Sequence, residues 1–436
     1  MSARRYARVF MAVLALVWLA GCAVNPVTGR KELALFQISE EEEVSIGQKT
    51  YPQVLQQMGG IYPDESLNAY VDGVGQRLAR YSHRPDLPYQ FAVINNSTPN
   101  AFALPGGPIA ITRGLLVVMG NEGQLASVLG HEVAHVTARH SVAGMQRGAL
   151  LGVGLAVVSG VAGDAAYGPL SQQVAQIAAT LVDNTYSREQ EREADRLGID
   201  YMVRAGYDPQ GAVQLQEIFY RELEGGAQPS WVGGLFRTHP FSRERMLDNQ
   251  QYIQNTYQQA TAAAGFTLNA REFQQATAGL REKQRGFDLY DQARQLEARN
   301  QLPEAIATYR RALEAAPNES LIYTRIGLAS LKAEDMVPAR RYLQRAVDLD
   351  GNYYESRMGL GFVLLERGEN AEAVRHLERS MELLATLQGG YLLAEGYEKT
   401  GERQKAITLY RNIVEADPDG RLGQAAAQRL RALEGR

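Results

Sequence analysis

The chain has 436 residues, of which 45% are hydrophobic, and a formal net charge of −4 at pH 7. It is too long for one ordinary domain, so we expect at least two folded units. The slightly acidic balance excludes a protein dedicated to nucleic-acid binding, and the composition is typical of a soluble globular protein. Cys22 is the only cysteine, which excludes a disulfide within the chain.

The N-terminus, residues 1–21, predicts a lipoprotein signal peptide. Three arginines precede an apolar run at 9–20, which is too short to span a bilayer comfortably and ends in small residues. The letters LAGC at 19–22 resemble a bacterial lipobox, which implies that Cys22 becomes the lipidated first residue of the mature protein. Ala23 favours sorting to the outer membrane, so we expect a periplasmic, lipid-anchored protein. An uncleaved anchor with an incidental cysteine is the alternative.

Short strands are predicted at 89–94 and 109–112, with 101–104 between them, because apolar residues alternate or cluster there among prolines and glycines. A small sheet beside the helix that follows would present an edge to an extended peptide. Pairing through the main chain would recognise backbone rather than sequence. A purely structural hairpin is the alternative.

The next helix carries the most informative motif of the chain. Asn121 offers a cap, with Gln124 at the third helical position. Apolar residues then follow at helical spacing: Leu125, Val128, Leu129, Val133 and Val136. His131 and His135 lie one turn apart on one face, where two neutral imidazoles can bind one Zn²⁺, and Glu132 can act on water activated by the metal. Two core histidines one turn apart are the alternative.

His140 invites a different metal-site pattern, H-E-x-x-H-x-x-G-x-x-H, but it comes one residue too early and the glycine is missing. On a continuous helix its side chain would point about 140° away from that of His135. We therefore expect His140 to be a surface residue or a group behind the ligands.

The segment Gly148–Gly163 consists almost entirely of glycine, alanine, valine and leucine. It is too short and too rich in glycine to span a bilayer. A mobile lid, or a surface element that touches a membrane or a partner, is one interpretation, and a buried helix is the other.

A second helix, capped at Ser187, is expected to supply the third ligand. One of its faces carries Glu191, Ala194, Asp195 and Gly198. Five charged residues are expected to form ion pairs along its outer side: Glu189, Arg192, Glu193, Arg196 and Asp200. The small residues would let this helix approach the first one closely. We therefore predict Glu191 as the ligand and Asp195 as the carboxylate that orients a ligand histidine.

Together these motifs resemble the gluzincin metallopeptidases of the CAAX prenyl protease and HtpX type. The resemblance covers roughly residues 25–250 and rests on HEVAH followed downstream by SRxxExEAD. Further matching stretches are NPVTG at 25–29, PNAFALPGG at 99–107 and THP at 238–240. In that family the glutamate four positions before the aspartate binds the metal, which is Glu191 here.

The predicted site therefore contains one Zn²⁺ held by His131, His135 and Glu191. The metal would lower the pKa of a bound water from about 15.7 towards about 7, and Glu132 would take its proton. The resemblance adds His239, whose counterpart either stabilises the tetrahedral intermediate or occupies the open metal position in a resting state. An ordinary loop histidine before a proline is the alternative. The resemblance also implies Arg245 as an oxyanion partner, with the equally basic Arg243 nearby as the alternative.

The C-terminal part repeats with a period of 33–34 residues. Small residues recur at Ala305, Ala339, Ala373 and Ala406. Twelve positions before each of these stand Ala293, Gly327, Gly361 and Ala394. Small residues at such spacing are typical of tetratricopeptide repeats, in which they lie where paired helices touch. Four repeats at about 287–418 and a capping helix at 421–433 would form a solenoid with a concave face for a partner. Generic helical hairpins are the alternative.

The sequence thus predicts a predominantly α-helical protein in which a zincin peptidase domain with a small β-sheet precedes an α-solenoid. The expected divisions are a signal peptide (1–21), a zinc metallopeptidase domain (22–262), a helical linker (263–284) and a tetratricopeptide repeat domain with its cap (285–436). The resemblance implies an endopeptidase of the bacterial envelope that cleaves misfolded or misassembled proteins, outer-membrane proteins above all. The repeats would dock partners such as the outer-membrane assembly machinery, and no nucleic acid is expected. An adaptor or chaperone with a silenced or structural metal site is the alternative function.

Overall fold

The computed structural model describes residues 22–24, 27, 29, 31–33, 38–150, 186–224, 238–262 and 265–435. The signal peptide predicted at 1–21 and most of the Gly148–Gly163 segment lie outside the described residues. In the part of the chain that is described, none of the helices combines the length and the apolar character that crossing a bilayer requires. The predicted fold class is confirmed, because the protein is mostly helical, with two small sheets, of two and three strands, in the described part of its N-terminal unit.

Strands and helices follow one another in two units. The strands are β1 (Cys22–Val24), β2 (Lys31–Leu33), β3 (Gln90–Ile94), β4 (Ala101–Ala103) and β5 (Pro108–Thr112). The helices of the N-terminal unit are α1 (Glu40–Gln57), α2 (Glu65–Arg80), α3 (Arg113–Leu116), α4 (Glu122–Thr137), α5 (His140–Leu150), α6 (Arg188–Arg204), α7 (Gln210–Glu224), α8 (Arg243–Ala262) and α9 (Ala270–Glu282). The C-terminal unit contains α10 (Gln284–Ala298), α11 (Leu302–Ala315), α12 (Ser320–Lys332), α13 (Met336–Leu349), α14 (Tyr354–Glu366), α15 (Asn370–Leu383), α16 (Leu387–Thr400), α17 (Arg403–Ala416) and α18 (Arg421–Glu434).

A three-stranded sheet lies beside α4, in the order β3-β5-β4. The central strand β5 pairs in parallel with β3, where Ala92 is opposite Ala110, and antiparallel with β4, where Phe102 is opposite Ala110. The strands predicted around 89–94 and 109–112 therefore do not form a hairpin with each other. The edge strand β4 makes most of the contacts between this sheet and α4.

Helices α4 and α6 cross where each presents a glycine. A Cβ atom added to Gly198 would lie 2.9 Å from the backbone nitrogen of His131 and 3.0 Å from the carbonyl carbon of Gly130. Such separations are shorter than van der Waals contact, so only glycine permits this approach. Asn121 caps α4 by accepting from the Gln124 amide at 2.9 Å. The close approach that the sequence predicts at Gly198 is confirmed.

Within the segment 263–284, predicted to be a helical linker, residues 270–282 form α9, which packs against the N-terminal unit. Phe273 and Leu280 of α9 are buried in the core of the N-terminal unit, together with Phe287 at the start of α10. The guanidinium of Arg113 lies 3.5 Å from the centre of the Phe287 ring. The polar composition of the segment concealed this short apolar face, which packs α9 and the start of α10 against the core of the N-terminal unit.

Helices α10 to α17 form four antiparallel pairs, and α18 packs on the last of them. All eight small residues of the predicted repeat are buried: Ala293, Ala305, Gly327, Ala339, Gly361, Ala373, Ala394 and Ala406. A Cβ atom at Gly327 would lie 2.5 Å from Leu343 Cγ, which explains why a small residue occurs at this position. The predicted solenoid is confirmed.

Polar contacts fix the solenoid to the N-terminal unit. Gln56 Nε2 donates to the Asn352 carbonyl at 2.7 Å, and its Oε1 accepts from the Tyr354 amide at 3.0 Å. Tyr62 donates to the buried Glu319 carboxylate at 3.2 Å. Because Gln56 satisfies two main-chain groups at once, it fixes the position of the loop before α14.

Candidate active site

Four side chains that the sequence singles out converge at one point. The donor atoms of His131, His135, Glu191 and His239 lie within 4.8 Å of one another and form a group that could hold a metal ion. The Nε2 atoms of His131 and His135 are 3.0 Å apart, and Glu191 Oε1 is 3.4 Å from His135 Nε2. His239 Nδ1 is 3.1 Å from Glu191 Oε1. Three imidazoles and a carboxylate are the nitrogen and oxygen ligands that zinc takes in proteins.

Separate elements supply these side chains. His131 and His135 occupy successive turns of α4, and Glu191 lies in the first turn of α6, after a capping box at Ser187. His239 lies in the segment immediately before α8. The glycine crossing of α4 and α6 brings Glu191 within reach of both α4 histidines.

Burial and hydrogen bonding set the charges of these groups in the described structure. Burial lowers the pKa of His131, but hydrogen bonds to Asp195 and Glu191 outweigh it and raise the pKa to about 10. Burial raises the pKa of Glu191, but the surrounding histidines hold it well below its usual range. The site is thus built around an ionised, fully buried carboxylate, which suits a divalent cation.

Asp195 and Arg245 lie behind the candidate metal ligands. Asp195 Oδ1 lies 3.0 Å from His131 Nδ1, on the side of the ring away from the ligand cluster. Arg245 binds Asp195 through Nε and Nη2, at 2.9 and 2.8 Å, and donates from Nη1 to Glu191 Oε2 at 2.5 Å. Arg245 Nη1 also donates to the Pro240 carbonyl at 2.7 Å. The expectation that Arg245 is an oxyanion partner is not supported, because its guanidinium is bound to carboxylates that it orients.

His140 lies behind His135, which is one of the two positions that the sequence predicts for it. Its Nδ1 lies 2.9 Å from His135 Nδ1, and its Nε2 lies 3.1 Å from Glu193 Oε2. The angle predicted from a continuous helix was wrong, since α4 ends at Thr137 and Arg139 has a φ of 56°. This turn brings the buried His140 back towards the site.

The outer side of α6 also differs from the expectation of ion pairs along the helix. Glu193 binds His140, and Arg192 pairs with Glu244 of α8 at 2.7 Å. Asp200 accepts from Tyr252 at 2.7 Å. The charges of α6 therefore attach it to its neighbours, a role that the spacing of charges in one helix does not reveal.

Glu132 lies at the edge of the cluster. Its Oε1 is 3.5 Å from His239 Nε2. Among the residues that the structure describes, Glu132 Oε2 and His239 Nε2 are buried without a hydrogen-bond partner. Burial raises the pKa of the Glu132 carboxyl above its usual range. Leaving a buried polar atom without a partner costs free energy, so these two atoms beside the cluster call for an explanation.

Comparison with known proteins places this arrangement in a class. Residues 65–253 match peptidase family M48, and residues 391–422 match the tetratricopeptide repeat. The protein therefore combines an M48 peptidase domain with a tetratricopeptide repeat domain, and the M48 peptidases are metal-dependent.

Particular relatives share this organisation in whole or in part. The chain is 28% identical to the beta-barrel assembly-enhancing protease of Escherichia coli (strain K12), over 88% of this chain and 87% of that protein. The order of peptidase and repeat domains in the sequence predicts this resemblance, and the comparison confirms it. The mitochondrial metalloendopeptidase OMA1 of Schizosaccharomyces pombe is 30% identical over 52% of this chain and 65% of its own length. Among solved structures, the tetratricopeptide protein YrrB aligns with 49% of this chain and 99% of its own, at 19% identity and a TM-score of 0.31.

Proposed function

We propose that this protein is a zinc endopeptidase of the bacterial cell envelope, in which His131, His135 and Glu191 bind the metal and Glu132 is the general base. The convergence of these three donors from α4 and α6, with Glu132 beside them, carries the proposal. A site with a purely structural role has no need of a carboxylate in the position of Glu132.

Each step of hydrolysis has a residue suited to it. When bound, Zn²⁺ would supply a Lewis acid that activates water and polarises the scissile carbonyl. Glu132 takes the proton of the attacking water and delivers it to the leaving amine. Its pKa, raised by burial, makes it a stronger base than an exposed glutamate.

Groups behind the ligands fix where the imidazole protons lie. His131 donates from Nδ1 to Asp195, which leaves Nε2 free to bind the metal. His135 must likewise carry its proton on Nδ1 to bind through Nε2, so His140 Nδ1 is the acceptor. The proton of His140 then lies on Nε2 and points to Glu193. Two carboxylates thereby orient two ligands, one directly and one through a second imidazole.

The cellular setting extends this proposal. Lipidation at Cys22 would hold the mature chain at the outer membrane, facing the periplasm. Its peptidase domain (22–262) would receive unfolded or misassembled proteins, and the edge strand β4 beside α4 is placed to pair with an extended segment. The repeat domain (285–436) would dock partners, and the name of the Escherichia coli relative suggests that these partners act in beta-barrel assembly.

Cleavage of a disordered protein such as casein by zinc-loaded protein tests the proposal. Glu132→Gln should lower the cleavage rate by at least about a thousandfold while zinc remains bound, since the general base is lost and the ligands are kept. Glu189→Gln, which changes an exposed carboxylate on α6, is the matched control and should cleave normally. Equal cleavage by Glu132→Gln and the wild type would contradict the assignment.

A second function, an adaptor or chaperone with a silenced site, is favoured by one observation. His239 Nδ1 lies close enough to Glu191 and His131 to complete a set of four protein ligands, which is the coordination of structural zinc sites. If His239 only blocks the open position, His239→Ala should increase casein cleavage several-fold. A loss as large as that of Glu132→Gln would make His239 catalytic. A zinc-loaded protein that stays inert, even as His239→Ala, would establish the adaptor.

A further inference from the structure

A turn between α4 and α5 places His140 behind His135. Arg139, the residue at this turn, has a φ of 56°, a left-handed conformation that is uncommon for residues other than glycine. The first turn of α5 follows directly from it, since the Ala143 amide donates to the Arg139 carbonyl at 3.0 Å. Such a conformation costs free energy and persists only where surrounding contacts hold it. The contacts that hold Arg139 therefore also determine where His140 lies.

The N-terminal helix α1 and the residues before it hold the side chain of Arg139. Its Nη2 atom donates to the Ile38 carbonyl at 2.6 Å, and its Nε atom lies 3.0 Å from Glu43 Oε2. The contact with Glu43 is an ion pair without the alignment of a hydrogen bond. Glu43 is only 1% exposed, and charges that are shielded from water attract each other more strongly than charges on the surface.

Glu43 also holds the other side of the turn. Arg84 donates to Glu43 Oε1 from Nη1 and to Oε2 from Nη2, at 3.1 and 3.0 Å. The same Nη1 donates at 3.3 Å to the carbonyl of Val136, the residue after His135. The Gly106 amide donates to Glu43 Oε1 at 3.2 Å, which attaches the loop between β4 and β5 to the same carboxylate. One buried carboxylate thus connects α1 to residues on both sides of the turn.

We propose that Glu43 is a positioning residue for the metal site, which holds the Arg139 turn so that His140 stays against His135. The inference rests on the proposed zinc site and extends it to α1, a helix that supplies no ligand. His140 Nδ1 lies 2.9 Å from His135 Nδ1, so a displacement of the turn by about 1 Å would take the two atoms beyond hydrogen-bonding distance. Zinc would then bind less tightly, because the ligand His135 would lose the group that orients it.

Zinc affinity, measured by competition with a fluorescent chelator, tests the proposal. Glu43→Gln should weaken zinc binding by about five- to tenfold, less than the loss of the direct partner His140. In a His140→Leu background the same change should weaken binding no further, because the group through which Glu43 acts is already absent. A similar loss of affinity in both backgrounds, or no loss in either, would overturn the proposal. Glu41→Gln, an exposed glutamate on the same helix, is the control and should bind zinc normally.

Arg139→Gly provides a second variant, because it removes the ion pair at the turn but keeps the contacts between Glu43 and Arg84. Glycine adopts a φ of 56° without strain, so the turn can form but is no longer held. Zinc binding should again weaken by about five- to tenfold, and no further loss should occur in the His140→Leu background. Unchanged zinc binding in Arg139→Gly would contradict the proposal even if Glu43→Gln did not fold.

Hydrogen exchange follows the turn in metal-free protein. Exchange at the Ala143 amide, whose acceptor is the Arg139 carbonyl, should be at least about threefold faster in Glu43→Gln and in Arg139→Gly. Unchanged exchange in both variants would mean that Glu43 does not hold the turn.

These measurements also separate the inference from the peptidase assignment. The expected zinc affinities in a protein that cleaves no casein would uphold the positioning role and contradict the proposed function. Normal cleavage with unchanged zinc affinity in Glu43→Gln and Arg139→Gly would uphold the proposed function and overturn the positioning role.

Discussion

His140 connects the proposed metal ligand His135 to the carboxylate of Glu193. The proposed proton arrangement requires His140 to accept from His135, which any side chain with a correctly placed oxygen could also do. Substitutions that keep or remove such an oxygen can therefore show whether His140 orients His135 or only fills the space beside it.

Two substitutions at this position should therefore behave differently. His140→Leu should weaken zinc binding by about 10–100-fold, because His135 loses its acceptor, whereas His140→Gln should retain most of the affinity through its carbonyl oxygen. Competition with a fluorescent chelator measures both. Equally weakened zinc binding in the two variants would mean that His140 only packs against His135. Unchanged zinc binding in both variants would mean that His140 has no role in the site.

For single residues, the sequence predicts the relative positions of side chains that lie on regular helices. The spacing of His131 and His135, and the face of α6 that carries Glu191 and Asp195, follow from helical periodicity. His140 could not be placed in this way because its position depends on the turn at Arg139.

At the scale of elements, the site depends on the distance between α4 and α6. Gly198 lies where the two backbones touch, seven residues after Glu191 on the same helix. A methyl group there would meet backbone atoms of Gly130 and His131, which cannot rotate away as a side chain can.

Gly198→Ala should consequently separate the helices, destabilise the fold by about 1–3 kcal/mol and weaken zinc binding, although alanine favours helix formation over glycine. Gly73→Ala is the matched control, because a Cβ atom at this helical glycine of α2 meets nothing within 4 Å. The control should stabilise the protein by about 0.5–1 kcal/mol and leave zinc binding unchanged. Thermal denaturation and metal titration measure both effects. Unaltered zinc affinity in Gly198→Ala would show that the crossing does not set the site.

Long helices and helical repeats can be predicted from the sequence, whereas the pairing of strands and the packing of α9 against the N-terminal unit cannot. The repeat helices follow from buried small residues at a fixed period. Strand positions were also predictable, but the parallel pairing of β3 with β5 depends on how the chain between them folds back. The burial of α9 rests on two apolar side chains, Phe273 and Leu280, in an otherwise polar helix.

At the scale of the whole molecule, the solenoid is fixed to the peptidase domain rather than tethered by a flexible chain. The two side-chain hydrogen bonds of Gln56 and the packing of Phe287 in the N-terminal core join the units. A partner bound to the repeats would thus be held in a defined position relative to the site. The sequence predicts both domains and their order, but not this attachment.

Gln56→Ala should weaken the attachment by about 1–3 kcal/mol, since two main-chain groups of the solenoid lose their partner. Hydrogen exchange should accelerate around Tyr353 and Tyr354, while exchange within α4 stays as in the wild type. Gln48→Ala, at an exposed position on the same helix, is the control and should exchange normally. Unchanged exchange in Gln56→Ala would mean that other contacts alone hold the domains together.

Titration of zinc into metal-free protein, with casein cleavage as the readout, tests the account most directly. Cleavage should rise in proportion to added zinc and level off at one equivalent per chain, and Glu132→Gln should take up the same equivalent without cleaving. A wild-type protein that binds no zinc, or that cleaves equally well without it, would contradict the claim that these α4 and α6 side chains form a zinc-dependent hydrolytic site.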